Sequence, residues 1–374
     1  MHKARHRARR ERGIDENRVV SSCSPAEHTL SNRLRLTNSG WRLRELSLIA
    51  LLLVASGCGR IHTLAPLQLT PQTSLAPISW LSPLHTADAT QMQSWRAAVG
   101  SPLVVPDPTP ATAPADHLTI VTWNVALDGG DVVGLVRELQ ARDTSTPIVL
   151  LLQEAFRGGD DVPIAPLGAS FAGHLGRCDD EREIDRIAGE LGFSLYYVPS
   201  MRNGMTSARE DRGNAVLSSV PLEELSAIEL PFERQRRVAV GARIAGRTSL
   251  GREWSLRLVN VHLDNLVGAR YGWLGTELGR ARQARGLRET LAGDEPTILA
   301  GDFNTWFGFS DRVYLETARA FPQTRVTDGR RTFRGLLRLD HVFYRLAPGW
   351  NASTVRAESS FGSDHYPLVT TVRF

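Results

Sequence analysis

The sequence predicts a layered α/β or α+β domain of roughly 260 residues, beginning near Asp116. Three observations carry that expectation. Of 374 residues, 42% are hydrophobic and 22% charged, a balance that can bury a core and excludes a wholly disordered or fibrous chain. From residue 116 onward, short apolar runs of β type alternate with segments whose apolar residues recur at helical spacing. Ahead of it, residues 59–115 are dense in proline, which is excluded from helix interiors and sheet centres.

The first 58 residues read as a targeting segment. Residues 1–60 hold 12 basic and 5 acidic side chains, whereas 116–374 hold 31 and 33, so the net charge of +4 belongs to the N-terminus. The domain therefore has no overall positive field for capturing nucleic acid. Arg33, Arg35, Arg42 and Arg44 precede the apolar run Leu46–Ala55, and Ser56-Gly57-Cys58 follows. Such an order describes a secretory signal, and the run is shorter than the ~20 residues needed to cross a bilayer. Its end resembles a bacterial lipoprotein signal, which would place a lipid on Cys58; Ala55 departs from that pattern, where Leu is usual. Export to the cell envelope with membrane anchoring is the expectation. Cys23, Cys58 and Cys178 show no spacing for a zinc site or a disulfide framework. Residues 59–115 are expected as an extended tether, with a short helix near Thr90–Val99.

In the domain, strands are expected at His117–Trp123 and Pro147–Leu152, separated by a helix carrying Val132, Val133, Leu135, Val136 and Leu139. Ile184, Ile187, Ala188 and Leu191 mark a second helix, stopped by Gly192. Strands follow at Leu195–Val198, Ala215–Ser219, Arg237–Ile244, Trp254–Val261 and Thr297–Ala300. An Arg-rich helix at Leu274–Leu291 precedes the last of these, and strands close the chain at Leu339–Tyr344, Ser353–Ala357 and Leu368–Val372.

Polar clusters stand where the apolar runs stop. They include Asn124, Glu154, Arg212 with Asn214, His262, Asp302 with Asn304, Asp340 and Asp364-His365. One cluster alone would read as an Asx turn. Seven, each adjoining a β run, point to convergence at one edge of the sheets. Asn124, Glu154, Asp302, Asn304 and Asp364 are hard oxygen ligands without cysteine, a set that suits Mg²⁺ or Mn²⁺. His262 and His365 titrate near neutrality and can bracket a phosphate; Asp340 can fix the tautomer of one of them. Arg212 and Asn214 offer donors to a phosphate oxygen.

In chain order, Trp123-Asn124, Gln153-Glu154, GNAVLS (213–218), NVHLDN (260–265), GDFN (301–304), LDHVF (339–343) and SDHYPL (363–368) resemble the endonuclease/exonuclease/phosphatase superfamily. That superfamily includes DNase I-like nucleases, abasic-site endonucleases, neutral sphingomyelinases and inositol-polyphosphate 5-phosphatases. The resemblance spans about 118–374. It implies a four-layer sandwich of two packed mixed β-sheets flanked by helices, acting on a phosphate ester with Mg²⁺ or Mn²⁺. It further implies Glu154 as the main metal ligand with Asn124, and Asp364 completing the metal or water network. Asp302 would orient or deprotonate the attacking water, and Asn304 would hold a phosphate oxygen. His262 and His365, the latter paired with Asp340, would stabilise the phosphorane and protonate the leaving oxygen.

The substrate stays open among nucleic acid, phospholipid and inositol phosphate, with a sphingomyelinase-like phospholipase or a non-catalytic binding protein as alternatives. No protein partner is implied. Residues 156–180 are a candidate specificity loop. Asp264 and Asn265 fit a solvated loop as well as substrate contact, and Trp306, Phe307 and Phe309 fit a substrate edge as well as core. His341 reads as packing, and Arg234–Arg237 as a solvated strand face.

Overall fold

The structure is a computed structural model that describes residues 69–72, 78–83, 92–106, 113–125, 129–164, 182–202, 209–265 and 275–374. The targeting segment with Cys58, and Cys178 with most of the candidate specificity loop, lie outside the described residues. The strands are β1 (Leu69–Gln72), β2 (Ser79–Pro83), β3 (Leu103–Val105), β4 (His117–Asn124), β5 (Ile148–Gly158), β6 (Ser194–Met201) and β7 (Glu210–Ser218). They continue with β8 (Glu223–Glu229), β9 (Val238–Arg247), β10 (Glu253–His262), β11 (Thr297–Asp302), β12 (Asp340–Arg345), β13 (Asn351–Arg356) and β14 (Leu368–Arg373). The helices are α1 (Val132–Arg142), α2 (Ile184–Leu191), α3 (Gly275–Thr290) and α4 (Arg312–Ala320).

Among the described residues, one sheet runs β1-β2-β8-β9-β10-β11-β12 and the other β13-β14-β4-β5-β7-β6-β3. Both are mixed: β4 pairs parallel with β5 and β10 parallel with β11, while most other neighbours are antiparallel. Alternation along each strand sorts side chains to two faces. On β4, Leu118 and Ile120 enter the core between the sheets, whereas Val121 and Trp123 meet α1 and α2 on the outer face. On β11, Ile298 and Ala300 face the other sheet, whereas Leu299 joins Ala281, Ala284 and Leu287 of α3. Helix, sheet, sheet and helix therefore form the four expected layers.

The tether expectation needs correction. Within 59–115, β2 pairs parallel with β8 and β3 antiparallel with β6, which adds strands to both sheets. A helical turn at 92–96 lies between them and buries Met92 and Trp95. Three of the prolines fit this placement: Pro71 lies in the edge strand β1, and Pro102 and Pro106 flank the edge strand β3, where a missing N–H breaks no central ladder; Pro83 is the last residue of β2, beyond its pairing with β8. The segment is held by charge as well. Glu229 is fully buried and accepts from Ser82 Oγ, Arg96 Nε (2.9 Å) and Arg236 Nε (2.7 Å).

The expectation that Arg234–Arg237 form a solvated face is corrected by the same pairs. Arg236 and Arg237 are both buried, the latter with Nε 3.1 Å from Asp264 Oδ1. Two further elements escaped the pattern. Strand β8 carries Glu223, Glu224 and Glu229, and α4 presents only Val313 and Thr317 as buried residues.

Candidate active site

The site continues the core alternation. Asn124, His262 and Asp302 stand two residues beyond inward-facing positions on β4, β10 and β11, and Asp340 stands two before inward-facing Val342 on β12. Register then aligns three of them, because His262 is the cross-strand partner of Asp302, and Asp302 that of Asp340. Gly301 allows the β10–β11 approach: a Cβ there would stand 1.9 Å from Val261 O. Two members occupy left-handed backbone, Glu154 with φ 58° and Asn304 with φ 50°, where non-glycine residues are uncommon and functional sites concentrate. Glu154 reaches that conformation through a bulge in β5 that sets Gln153 and Glu154 opposite Asn214.

Asp302 is the hub. Its Oδ1 accepts from the backbone N–H of Asn304 (2.8 Å) and its Oδ2 from Asn124 Nδ2 (3.1 Å). His262 Nε2 stands 3.5 Å and His365 Nε2 3.9 Å from that same Oδ2. Glu154 Oε1 lies 3.8 Å from His262 Nε2, and Asp364 Oδ1 lies 4.0 Å from His365 Nε2. On the far side of its ring, His365 Nδ1 is hydrogen-bonded to Asp340 Oδ2 at 2.8 Å. The segment bearing His365 is fixed to β4, since Ser363 Oγ donates to Asn124 O and Trp123 Nε1 donates to His365 O.

The two imidazoles are tuned in opposite directions. Burial lowers His262 well below its usual value, and repulsion from Arg237 and His365 adds to it. Burial would lower His365 too, but the Asp340 carboxylate outweighs it, and the pKa rises to about 10. Asp302 is raised, first by burial and then by the neighbouring Asp340 carboxylate. A neutral base partner and a charged acid partner thus face one point from two sides.

The residues fit a divalent cation. Asp340 Oδ1 is buried without a hydrogen-bond partner, and buried polar atoms normally have one. Ligand atoms of Asp302, Asp340 and His365 lie within 4.8 Å of one another. In that trio, however, Asp340 and His365 already engage each other. Glu154 and Asp364 offer carboxylate oxygens and Asn124 an amide oxygen near Asp302, through its contacts with His262, His365 and Asn124.

Not every expected residue reaches this point. The amide nitrogen of buried Asn214 donates to Val238 O (2.8 Å), so it ties one sheet to the other and is not presented as a phosphate donor. Arg212 is buried, with its guanidinium 5.2 Å from the Phe156 ring centroid. Asp264 is neither a solvated loop residue nor a substrate contact; it is buried and accepts from Arg237 Nε and the backbone N–H of Arg234. His341 packs among Phe303, Phe309, Tyr314 and Phe343, with Nε2 2.6 Å from Thr305 Oγ1. Phe309 packs on Tyr314, whereas Trp306 and Phe307 are 40% and 60% exposed.

Sequence reasoning missed Asn260. It joins the sheets beneath the site, accepting from Gln153 Nε2 (2.7 Å) and donating to Leu152 O and Ala215 O. A polar residue at an inward position of an otherwise apolar strand was its available signal.

Two opposed mixed sheets with acids, amides and paired histidines at one edge define a phosphoesterase-type sandwich. Residues 121–365 match the Endonuclease/Exonuclease/phosphatase family, and the chain belongs to it; members of this family are typically phosphoester hydrolases. A UPF0294 protein of Vibrio cholerae is 35% identical over 147 residues, which is 38% of this chain and 47% of that protein. One of Vibrio parahaemolyticus is 33% identical over 122 residues, covering 31% and 40% respectively. The aligned part thus spans less than half the length of these relatives. Among solved structures, an endonuclease/exonuclease/phosphatase from Beutenbergia cavernae shares the fold, with a TM-score of 0.50, 19% identity and 70% and 72% coverage of this chain and of that one.

Proposed function

We propose that the protein is a divalent-metal-dependent phosphodiesterase that uses a water molecule for in-line attack. The observation that carries this reading is the convergence of both imidazole Nε2 atoms on Asp302 Oδ2, with one ring charged by Asp340 and the other kept neutral by burial. Glu154 and Asn124, with Asp364, would hold Mg²⁺ or Mn²⁺, which when bound neutralises charge on the phosphate. Asp302, fixed by Asn304 N–H and Asn124, orients the attacking water and takes its proton. Asn304 also donates its side-chain amide to Leu263 O, which locks the loop that carries it. His262 and the His365–Asp340 pair stabilise the charge that builds on phosphorus oxygens, and His365 protonates the departing oxygen.

Hydrolysis of bis(4-nitrophenyl) phosphate should require Mg²⁺ or Mn²⁺ and stop on chelation by EDTA. Undiminished hydrolysis after complete chelation overturns the reading. We further propose export with a lipid on Cys58, from the order of basic residues, apolar run and Cys58. Fatty-acid labelling should be lost in Cys58→Ser, and labelling that persists refutes that assignment.

A further inference from the structure

We propose that Arg334 is a specificity-determining residue that binds a second phosphate group of the substrate beside the scissile one, an inference that rests on the phosphodiesterase reading above. Residues 325–338 carry Arg325, Arg330, Arg331, Arg334 and Arg338 against the single acid Asp328, in a domain whose acids otherwise outnumber its bases. Two of these cations are committed elsewhere, and Arg325 and Arg331 are exposed. Arg330 pairs with Asp328 (2.8 Å) and Glu358 (2.6 Å), and Arg338 lies over the Phe309 ring with Nη1 on Arg330 O.

Arg334 is different. Its side chain is 57% exposed, and its Nη2 stands 3.3 Å from Asp364 Oδ2, beside His365. The backbone holds it there. Arg334 N–H donates to Asp364 O (2.8 Å), Phe333 bridges to His365, and Tyr366 N–H donates to Thr332 O (2.7 Å). The Phe333 ring meets the His365 ring edge-on at 5.0 Å, with the Arg334 guanidinium 5.3 Å from the Phe333 centroid. Arginine also sits at φ 47° in this tight hairpin, immediately before Gly335 at φ 67°. Glycine or asparagine would adopt that backbone more readily, so the side chain is kept against its conformational preference.

The chemistry follows from exposure. A half-exposed ion pair with Asp364 is weak, and a guanidinium exchanges it readily for a phosphate, whose oxygens it can grip in bidentate fashion. Since the hairpin is pinned to the segment that carries His365, such a phosphate would sit next to the reacting one. The site would then prefer substrates that carry adjacent phosphates over simple diesters.

The test reads inhibition of Mg²⁺-dependent bis(4-nitrophenyl) phosphate hydrolysis by thymidine 5′-phosphate and by thymidine 3′,5′-bisphosphate. In the wild type the bisphosphate should inhibit about tenfold more tightly, the scale of one charge-assisted contact. Arg334→Ala should bring the two inhibition constants within about twofold, and Arg334→Lys should restore part of the gap. Arg331→Ala, an equal loss of charge at an exposed neighbour, should keep the gap. Equal constants in the wild type, an intact gap in Arg334→Ala, or an equal loss in Arg331→Ala each overturn the proposal. Absence of any hydrolysis with Mg²⁺ or Mn²⁺ is the distinguishable case, which overturns the phosphodiesterase reading and the proposal with it.

Discussion

His365 Nδ1 lies 2.8 Å from Asp340 Oδ2; Asp340 opens β12, and His365 stands 25 positions later in the segment that leads into β14 of the other sheet. The bond fixes the ring so that Nε2 points toward Asp302 and keeps the imidazole charged. It converts a histidine that titrates near neutrality into a proton donor that remains loaded throughout the neutral range.

Removing that donor should be costly. His365→Ala is expected to lower kcat by about 10²–10⁴ on an unactivated diester, and by less on a nitrophenyl ester whose leaving group needs little protonation. Asp340→Asn should move the alkaline limb of the pH profile downward, because it removes the charge that raises His365. An unmoved limb in a folded Asp340→Asn protein would sink the pairing. By contrast, His341→Ala, within its aromatic cluster, should lower stability without changing kcat.

Glu154 is exposed enough to reach solvent yet held beside His262 by a bulge in left-handed backbone. Glu154→Ala should raise the Mg²⁺ concentration needed for half activity, by about tenfold or more on the scale of a lost anionic ligand. A titration that overlays the wild type would remove Glu154 from the cation's shell.

The stability of the metal-free protein should fall on both sides of neutrality. His365 has a folded pKa raised to about 10 from 6.5, so its contribution is complete below 6.5 and is lost as pH rises toward 10. His262 and His341 are depressed by burial, so their contribution is present above 6.5 and is lost as pH falls below it. Urea denaturation across this range should show an alkaline slope that His365→Ala flattens. An identical slope in the variant would contradict the assignment.

The segment before residue 116 should matter to folding. Glu229→Ala leaves the buried Arg236 without its carboxylate and should cost about 3–5 kcal/mol. A chain starting at residue 113 loses β2, β3 and the buried Met92 and Trp95, and should melt well below one starting at residue 59. Equal melting temperatures would restore the view of this stretch as a passive tether.

The motifs and most strands were legible because their signals are local. Alternation along β4, β10 and β11 marks apolar positions, and the polar residue two places further on marks the end where a site forms. Helix α2 could be read from its spacing and its left-handed Gly192 cap. The strands β2 and β3 could not, since proline density says what a segment avoids and is silent on which sheet edge it joins.

By itself, the sequence determined the layered class, the family motifs and the residue types that meet at the site. The tertiary structure alone decided which of them meet. Asn214, Asp264 and Arg237 carry the same chemistry as the site residues, yet they are spent on holding sheets and loops together. The pairing of Arg96 with Glu229 joins residues 133 positions apart. Such pairs arise from the register and stacking of two sheets, and register is a property of the whole fold that no local window of residues contains.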